Sequence, residues 1–349
     1  MLTSMTHSLL RQLFYALPTL SFMGIVAIIA AHQINEYIFS PPRRSIHSYH
    51  LEHLQNPAQF GLEIRTHQCL DGKVPCLLVE PSRINNPGRR GTVLRKQLAD
   101  KGITLPAYGT SRGMMVLLHG RNGRKEDLLA VAERFAAAGF RCLIPDLPGH
   151  GDSPLPTMAF GSSEFERNLP AEILSDARQH FQLPDEPAVL WGMSMGGAFA
   201  VGAARSAPAW DALMVVSSFA ALDEVLKIYI PNRWHKLANI MQPFFDAAQW
   251  LNGEPGISQM QPAQWAKQLS VPALVVHGER DRYVPIQQGR KLYESLASKE
   301  KHWITVPGGG HRSVLATSMP LYAEMSAWLL QTLEKQQLVT RAATTARQN

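Results

Sequence analysis

The 349-residue sequence predicts an α/β fold built on a mostly parallel, eight-stranded sheet flanked by helices. Short, continuously apolar runs recur from about residue 113 onward, as expected of strands buried on both faces. Between them lie longer segments with apolar residues at helical spacing, and such alternation builds a parallel sheet covered on both sides. The composition, 45% hydrophobic and 18% charged, supplies a sizeable core.

Leu62 to Glu80 reads as two strands around a turn at Asp71-Gly72. Six more strands are legible at Met114–Leu118, Arg141–Pro145, Ala188–Trp191, Ala212–Val216, Ala273–His277 and Trp303–Val306. A helix follows the first of these, with Leu128, Val131, Ala132 and Phe135 on one face and Gly139 closing it. Residues 81–113 interrupt the pattern with seven Lys/Arg against one Asp. The run TVLRKQLADKG within it suits a short helix ending at Gly102. That insertion either rests on a membrane surface or is a solvated loop.

Leu13 to Ala31 is uncharged and apolar, and as a helix would be about 28 Å long, enough to cross a bilayer. A cleavable signal peptide competes, since Arg11 precedes the run and small residues end it. The run is long for a signal segment and no clean A-x-A site closes it, which favours an uncleaved membrane anchor over residues 1–35. Residues 36–60 read as a linker off the membrane. Four scattered histidines (His32, His47, His50, His53) stand in the polar stretch around it, expected to be exposed. The α/β domain spans 61–335, and the polar tail 336–349 is expected to be disordered.

The net charge of +6 comes without a dense basic tract interleaved with aromatics, so no nucleic-acid partner is expected. A basic face suits anionic lipid headgroups instead. The three cysteines form no CxxC or Cys/His cluster, so no metal is expected. Cys142 reads as core, while Cys69 and Cys76 flank the hairpin turn. A two-residue turn would not place those two directly opposite each other, which argues against a disulfide.

The pattern G-x-S-x-G occurs at Gly109–Gly113 and again at Gly192–Gly196. Its chemistry requires a sharp strand-to-helix turn that exposes the serine between small neighbours. Ser111 has no strand before it and a strand after it. Ser194 follows the run AVLW and enters GGAFAVGAARS, which is helix-compatible. Ser194 is therefore the candidate nucleophile, and Ser111 a chance match. A serine hydroxyl needs a base, and that base an orienting acid. Asp281 stands just past the strand at Ala273–His277, and His311 follows the last strand in a glycine-rich loop. Glu279 is the rival acid, but it lies closer to the strand end and lacks the spacing to Val284-Pro285. The oxyanion of an acyl-transfer intermediate needs two backbone donors. Met195 follows the nucleophile, and Arg121 lies in the loop His119–Gly123 after the first central strand. His119 and His150 read as loop-packing residues, His302 as exposed, and Asp146 and Asp152 as partners of the turn backbone.

Together LLHGRNGRKEDLL, PDLPGHGDS, GMSMGG, VVHGERDRYVP and GGGH resemble the α/β-hydrolase superfamily over roughly residues 62–335. Within it the chain resembles the serine aminopeptidase and monoacylglycerol-lipase-like group and membrane-anchored α/β-hydrolase-domain proteins. The resemblance implies Ser194 as nucleophile, Asp281 as acid, His311 as base, and the Arg121 and Met195 amides as oxyanion donors. It implies no metal or organic cofactor. Arg121 departs from the apolar residue such loops often carry; its side chain either attracts an anionic substrate group or points to solvent. Residues 219–270 are too long for a simple crossover and suit a helical cap. Its Ile228, Tyr229, Ile230, Trp234, Met241, Phe244, Phe245 and Trp250, with Met193 and Met195 beside the serine, suit an acyl or other apolar substrate or pack the cap onto the domain. A serine esterase acting on a small-molecule or lipid ester is the leading reading. A serine aminopeptidase-type peptidase and a catalytically silent, membrane-bound binding protein are its alternatives.

Overall fold

In a computed structural model of the chain, the structure describes residues 24–26, 29–84, 86–206 and 210–348, with side chains as far as residue 339. Eight strands form one sheet in the order β1-β2-β4-β3-β5-β6-β7-β8. They are β1 (Leu62–Cys69), β2 (Val74–Pro81), β3 (Gly113–Leu118), β4 (Phe140–Pro145), β5 (Ala188–Met193), β6 (Ala212–Val216), β7 (Ala273–Gly278) and β8 (Lys301–Val306). The β1–β2 and β2–β4 pairs are antiparallel, and every later pair is parallel. Strands β3, β6 and β7 are buried at every position, which is why β3 and β6 read as unbroken apolar runs and β7 as one broken only by His277.

Besides a helical stretch over 29–39, ten helices surround the sheet among the described residues: α1 (Ser48–Gln55), α2 (Gly88–Asp100), α3 (Leu129–Ala137), α4 (Glu164–Phe181), α5 (Met195–Ala203), α6 (Leu222–Ile228), α7 (His235–Leu251), α8 (Pro262–Ala266), α9 (Ile286–Ser295) and α10 (Leu321–Gln348). Two apolar layers result. One gathers Phe160, Ile173, Phe199 and Leu213; the other gathers Leu98, Phe135, Trp191 and Leu330. Helices α6, α7 and α8 occupy the long insertion between β6 and β7.

Several expectations need correction. The first hairpin closes through four residues, Leu70–Lys73, because Cys69 pairs with Val74. Leu70, Asp71 and Gly72 all take positive φ there, so the chain turns more widely than a two-residue loop allows. Cys76 pairs with His67, and all three cysteines are free and buried. The basic insertion holds α2, whose Leu94 and Leu98 are buried, so its apolar side packs on the domain. The linker is ordered onto the domain: residues 29–39 are helical, and Ile38, Phe39, His50 and His53 are buried. His50 lies 3.4 Å from Asp127 and His53 lies 3.5 Å from Glu133, so these carboxylates draw the two rings inward. The polar tail continues helix α10. Most of Leu13–Ala31 lies outside the described residues, and among the described ones no helix is long and apolar enough to cross a membrane.

Candidate active site

Strand β5 ends at Met193, and Ser194 turns the chain into α5 with φ 56° and ψ −119°. A non-glycine residue held there is strained, so its surroundings must fix it. Two bonds do. The Ser194 amide donates to the Val216 carbonyl at 2.8 Å, and the Ser218 hydroxyl donates to the Ser194 carbonyl at 2.7 Å. The turn is tight enough that a Cβ built on Gly192 would stand 2.0 Å from the Gly196 carbonyl oxygen. One on Gly196 would stand 2.1 Å from the Leu118 carbonyl oxygen. The two small residues flanking the serine are thus steric requirements of the turn.

Past the end of β7, the loop brings in Asp281, whose Oδ1 accepts the amides of Tyr283 at 3.0 Å and Val284 at 2.8 Å. Its Oδ2 accepts the Nδ1–H of His311 at 2.7 Å, and His311 Nε2 faces the Ser194 hydroxyl at 3.0 Å. With Nδ1 carrying the proton toward the carboxylate, Nε2 is free to accept from the serine. The structure therefore joins Ser194, His311 and Asp281 in one hydrogen-bonded chain. Ser111 lies elsewhere, donating to Glu186 at 2.5 Å. Glu279 is exposed and accepts the Gly308 amide at 2.8 Å.

The loop after β3 lies against Ser194: a Cβ on Gly120 would be 3.5 Å from both the Met193 carbonyl oxygen and Ser194 Cβ. Met195 is buried at the first turn of α5. The His119 ring braces this loop, its Nδ1–H donating to the Gly120 carbonyl at 2.9 Å and its Nε2 accepting the Leu147 amide at 3.1 Å. Burial lowers the His119 pKa to about 4 and that of neighbouring His150 to about 3, so both are neutral braces. The Arg121 side chain takes neither of its two expected courses. It donates to the carbonyls of Tyr37 and Ile38, at the end of the helical stretch 29–39.

Sequence reasoning missed two buried supports, Lys125 and His277. Lys125 is buried and its ammonium donates to Asp146 at 2.7 Å and Asp152 at 2.6 Å. Asp146 also accepts the Asp152 amide at 2.9 Å, as expected, whereas the Asp152 carboxylate takes Lys125 and Arg124 instead of the turn backbone. Another support is His277, fully buried beside Asp281, which donates from Nε2 to the Val284 carbonyl at 2.8 Å. Only the run HGERD, with a histidine inside an otherwise aliphatic strand, signalled it.

The cap's apolar residues divide. Ile228, Tyr229, Trp234 and Trp250 are exposed, while Phe245 packs against the core. Tyr229 reaches back to the loop that carries Asp281, its hydroxyl donating to the Tyr283 carbonyl at 2.9 Å. One group among the described residues has the donor set for a metal: His67, Cys69 and Asp176, with ligand atoms within 4.8 Å of one another. His67 and Cys69 lie on the edge strand β1 and Asp176 on α4, and Asp176 already accepts from His67 at 2.9 Å and from the Leu70 amide at 3.1 Å.

The chain is similar to several known proteins. The chain is 28% identical over 233 residues to a monoacylglycerol lipase of Mycolicibacterium smegmatis, covering 57% of this chain and 81% of the relative. It is 26% identical over 206 residues to the lysophosphatidylserine lipase ABHD12 of Macaca fascicularis, covering 55% of this chain but only 47% of that one. Among solved structures, an esterase of Pyrococcus furiosus superposes with a TM-score of 0.57 at 15% identity, over 84% of this chain and 97% of that one. A putative lipase of Acinetobacter baumannii gives 0.51 at 17%, over 84% and 99%; at such identities the likeness is one of fold. The model of the alpha/beta hydrolase family matches residues 115–324, more than half of the sequence, and the chain belongs to that family.

Proposed function

We propose that the chain is a serine hydrolase that cleaves carboxylic esters, with Ser194 as nucleophile, His311 as base and Asp281 as the orienting acid. The observation that carries the proposal is the unbroken chain of hydrogen bonds from Asp281 through His311 to a strained, elbow-mounted serine. His311 takes the hydroxyl proton as Ser194 attacks the ester carbonyl. The oxyanion is received by the amides of Met195 and Arg121, at the positive end of α5. Collapse expels the alcohol, which leaves with the proton held on His311. Water, deprotonated in turn by His311, then releases the acid from Ser194.

A lipid-like or acyl ester is the substrate class we favour. The names of the two lipase relatives support it, as do the apolar residues of the insertion 219–270, which we read as a cap over the site. We further read residues 1–35 as a membrane anchor, on the strength of the uncharged run Leu13–Ala31.

The test uses the full chain in detergent, wild type and Ser194→Ala, treated with a fluorophosphonate probe and assayed on p-nitrophenyl esters of increasing chain length. Labelling and turnover by wild type alone is the expected result, with rates rising toward longer acyl chains. Labelling without turnover of any ester would replace the esterase reading with a peptidase. A folded wild type that neither labels nor hydrolyses would leave a binding protein.

A further inference from the structure

The loop that offers the Arg121 amide to the oxyanion is not held by the α/β domain alone. Arg121 donates through Nε to the Ile38 carbonyl at 3.2 Å and through its terminal nitrogen to the Tyr37 carbonyl. Its guanidinium also lies 5.2 Å from the centre of the Tyr37 ring. Carbonyls at a helix end have no partner within the helix and attract cations, so this is a site where a guanidinium binds well. Arg44 donates to the Asn122 carbonyl at 3.4 Å, and Arg124 returns a bond to the Arg44 carbonyl at 3.0 Å. Asn122, between them, is held at φ 61°, a conformation that needs outside support.

The same stretch fixes the second loop of this face. Arg43 donates to the carbonyls of Gly151, Ser153 and Leu155, and the Phe39 carbonyl accepts the Met158 amide at 3.0 Å. Asn35 donates to the Phe245 carbonyl of α7 at 2.8 Å. Residues 35–44 therefore form a strap across the oxyanion loop, the following loop and the long insertion.

We propose that Arg121 is a positioning residue whose side chain ties the oxyanion-donating amide to the end of the N-terminal helical stretch, making the strap a working part of the active site. The inference rests on Ser194 being the nucleophile and the Arg121 amide a donor. An oxyanion donor acts only when aimed at the charge that develops in the transition state. Loosening the tie leaves substrate binding in place and weakens stabilisation of that charge.

The experiment compares full-length wild type, Arg121→Met, Arg121→Lys and Ser194→Ala in detergent. It reads kcat and KM on p-nitrophenyl butyrate, affinity for a trifluoromethyl ketone whose hemiketal oxyanion occupies the hole, and thermal melting. Arg121→Met is expected to lower kcat by about tenfold or more and to weaken the ketone by the same factor, with KM within about twofold and melting unchanged. Arg121→Lys should recover part of both losses, since one donor remains. Unchanged kcat and ketone affinity in Arg121→Met would overturn the inference. So would parallel loss of kcat, KM and melting temperature, which marks a merely structural residue. Should Arg121→Met fail to fold, Tyr37→Ala removes only the ring beside the guanidinium and is expected to lower kcat and ketone affinity together by about threefold. Hydrolysis persisting in Ser194→Ala would instead defeat the nucleophile assignment, and this inference with it, whatever the Arg121 variants do.

Discussion

His277 sits directly beneath Asp281, its Nε2 3.6 Å from the carboxylate Oδ2 and fully enclosed by the sheet. The ring does not bond the carboxylate closely; it holds the Val284 carbonyl at 2.8 Å, and Val284 in turn donates its amide to Asp281 Oδ1. Burial lowers its pKa, which keeps the ring neutral beneath the acid. The histidine thus fixes the loop that holds Asp281 toward His311. His277→Leu should lower kcat by about tenfold, roughly 1.4 kcal/mol of barrier, while KM stays within about twofold. Steady-state kinetics on a short p-nitrophenyl ester would check this, and an unchanged kcat would show that Tyr283 and Val284 hold Asp281 unaided.

Gly196 leaves no room for a methyl group, since the atom a Cβ would meet is the backbone oxygen of Leu118 at 2.1 Å. A strand carbonyl cannot swing aside as a flexible side chain can. Gly196→Ala should destabilise the fold by about 3 kcal/mol or more and abolish labelling by a fluorophosphonate. Urea unfolding followed by tryptophan fluorescence, run beside the labelling, measures both.

Ser111 offers the matching negative control. Its hydroxyl donates to Glu186, which also accepts from Arg141 at 2.6 Å. Ser111→Ala should leave labelling and turnover within about twofold of wild type and cost about 1 kcal/mol of stability. Labelling that vanished in this variant would place the nucleophile on the wrong glycine-flanked serine.

Acid should weaken the fold through the two buried loop histidines. The His119 pKa is about 4 and that of His150 about 3, both depressed by burial below the ordinary 6.5. The unfolded chain therefore takes up protons near pH 6.5 while the folded one does not. Their contribution is present above that pH and is lost as the pH falls toward 4. Each unit of depression corresponds to about 1.4 kcal/mol, so His119 alone accounts for about 3 kcal/mol across the window. Unfolding midpoints at pH 7 and pH 4.5 should differ accordingly, and less so in His119→Gln; equal slopes would remove His119 from that role.

How much of this was legible depended on whether a feature leaves a local pattern. Strands β3 to β7 were legible because near-complete burial forces largely apolar runs, whereas β8 is only half buried and showed mainly through its place at the end of the alternation. The candidates Ser194, Asp281 and His311 were legible because each stands just past a strand end. The elbow was separable from its decoy because Ser111 lacks the strand–turn–helix context. What failed to show was long-range and polar. Nothing near Arg121 in sequence says that its partners are carbonyls at residues 37 and 38. Nor does a polar stretch reveal that His50 and His53 will be drawn in by Asp127 and Glu133. The width of the first hairpin turn was missed for a different reason: Asp71-Gly72 favours a tight turn, and the pairing of Cys69 with Val74 overrode it.

The strap has a consequence for the order of assembly. Its bonds span 83 and 84 residues at Arg121 and from 108 to 112 at Arg43. Such contacts close large loops and form late, after local elements have condensed. On a ribosome the strap leaves the tunnel before either of the loops it must grip. Its carbonyls at Tyr37 and Ile38 then wait, solvated, through the synthesis of more than eighty further residues, and the Arg43 guanidinium through more than a hundred. Maturation of the face around Ser194 is accordingly a homecoming of a segment made long before its partners, and a chain caught before that step would carry a finished sheet with the loop His119–Gly123 still untied.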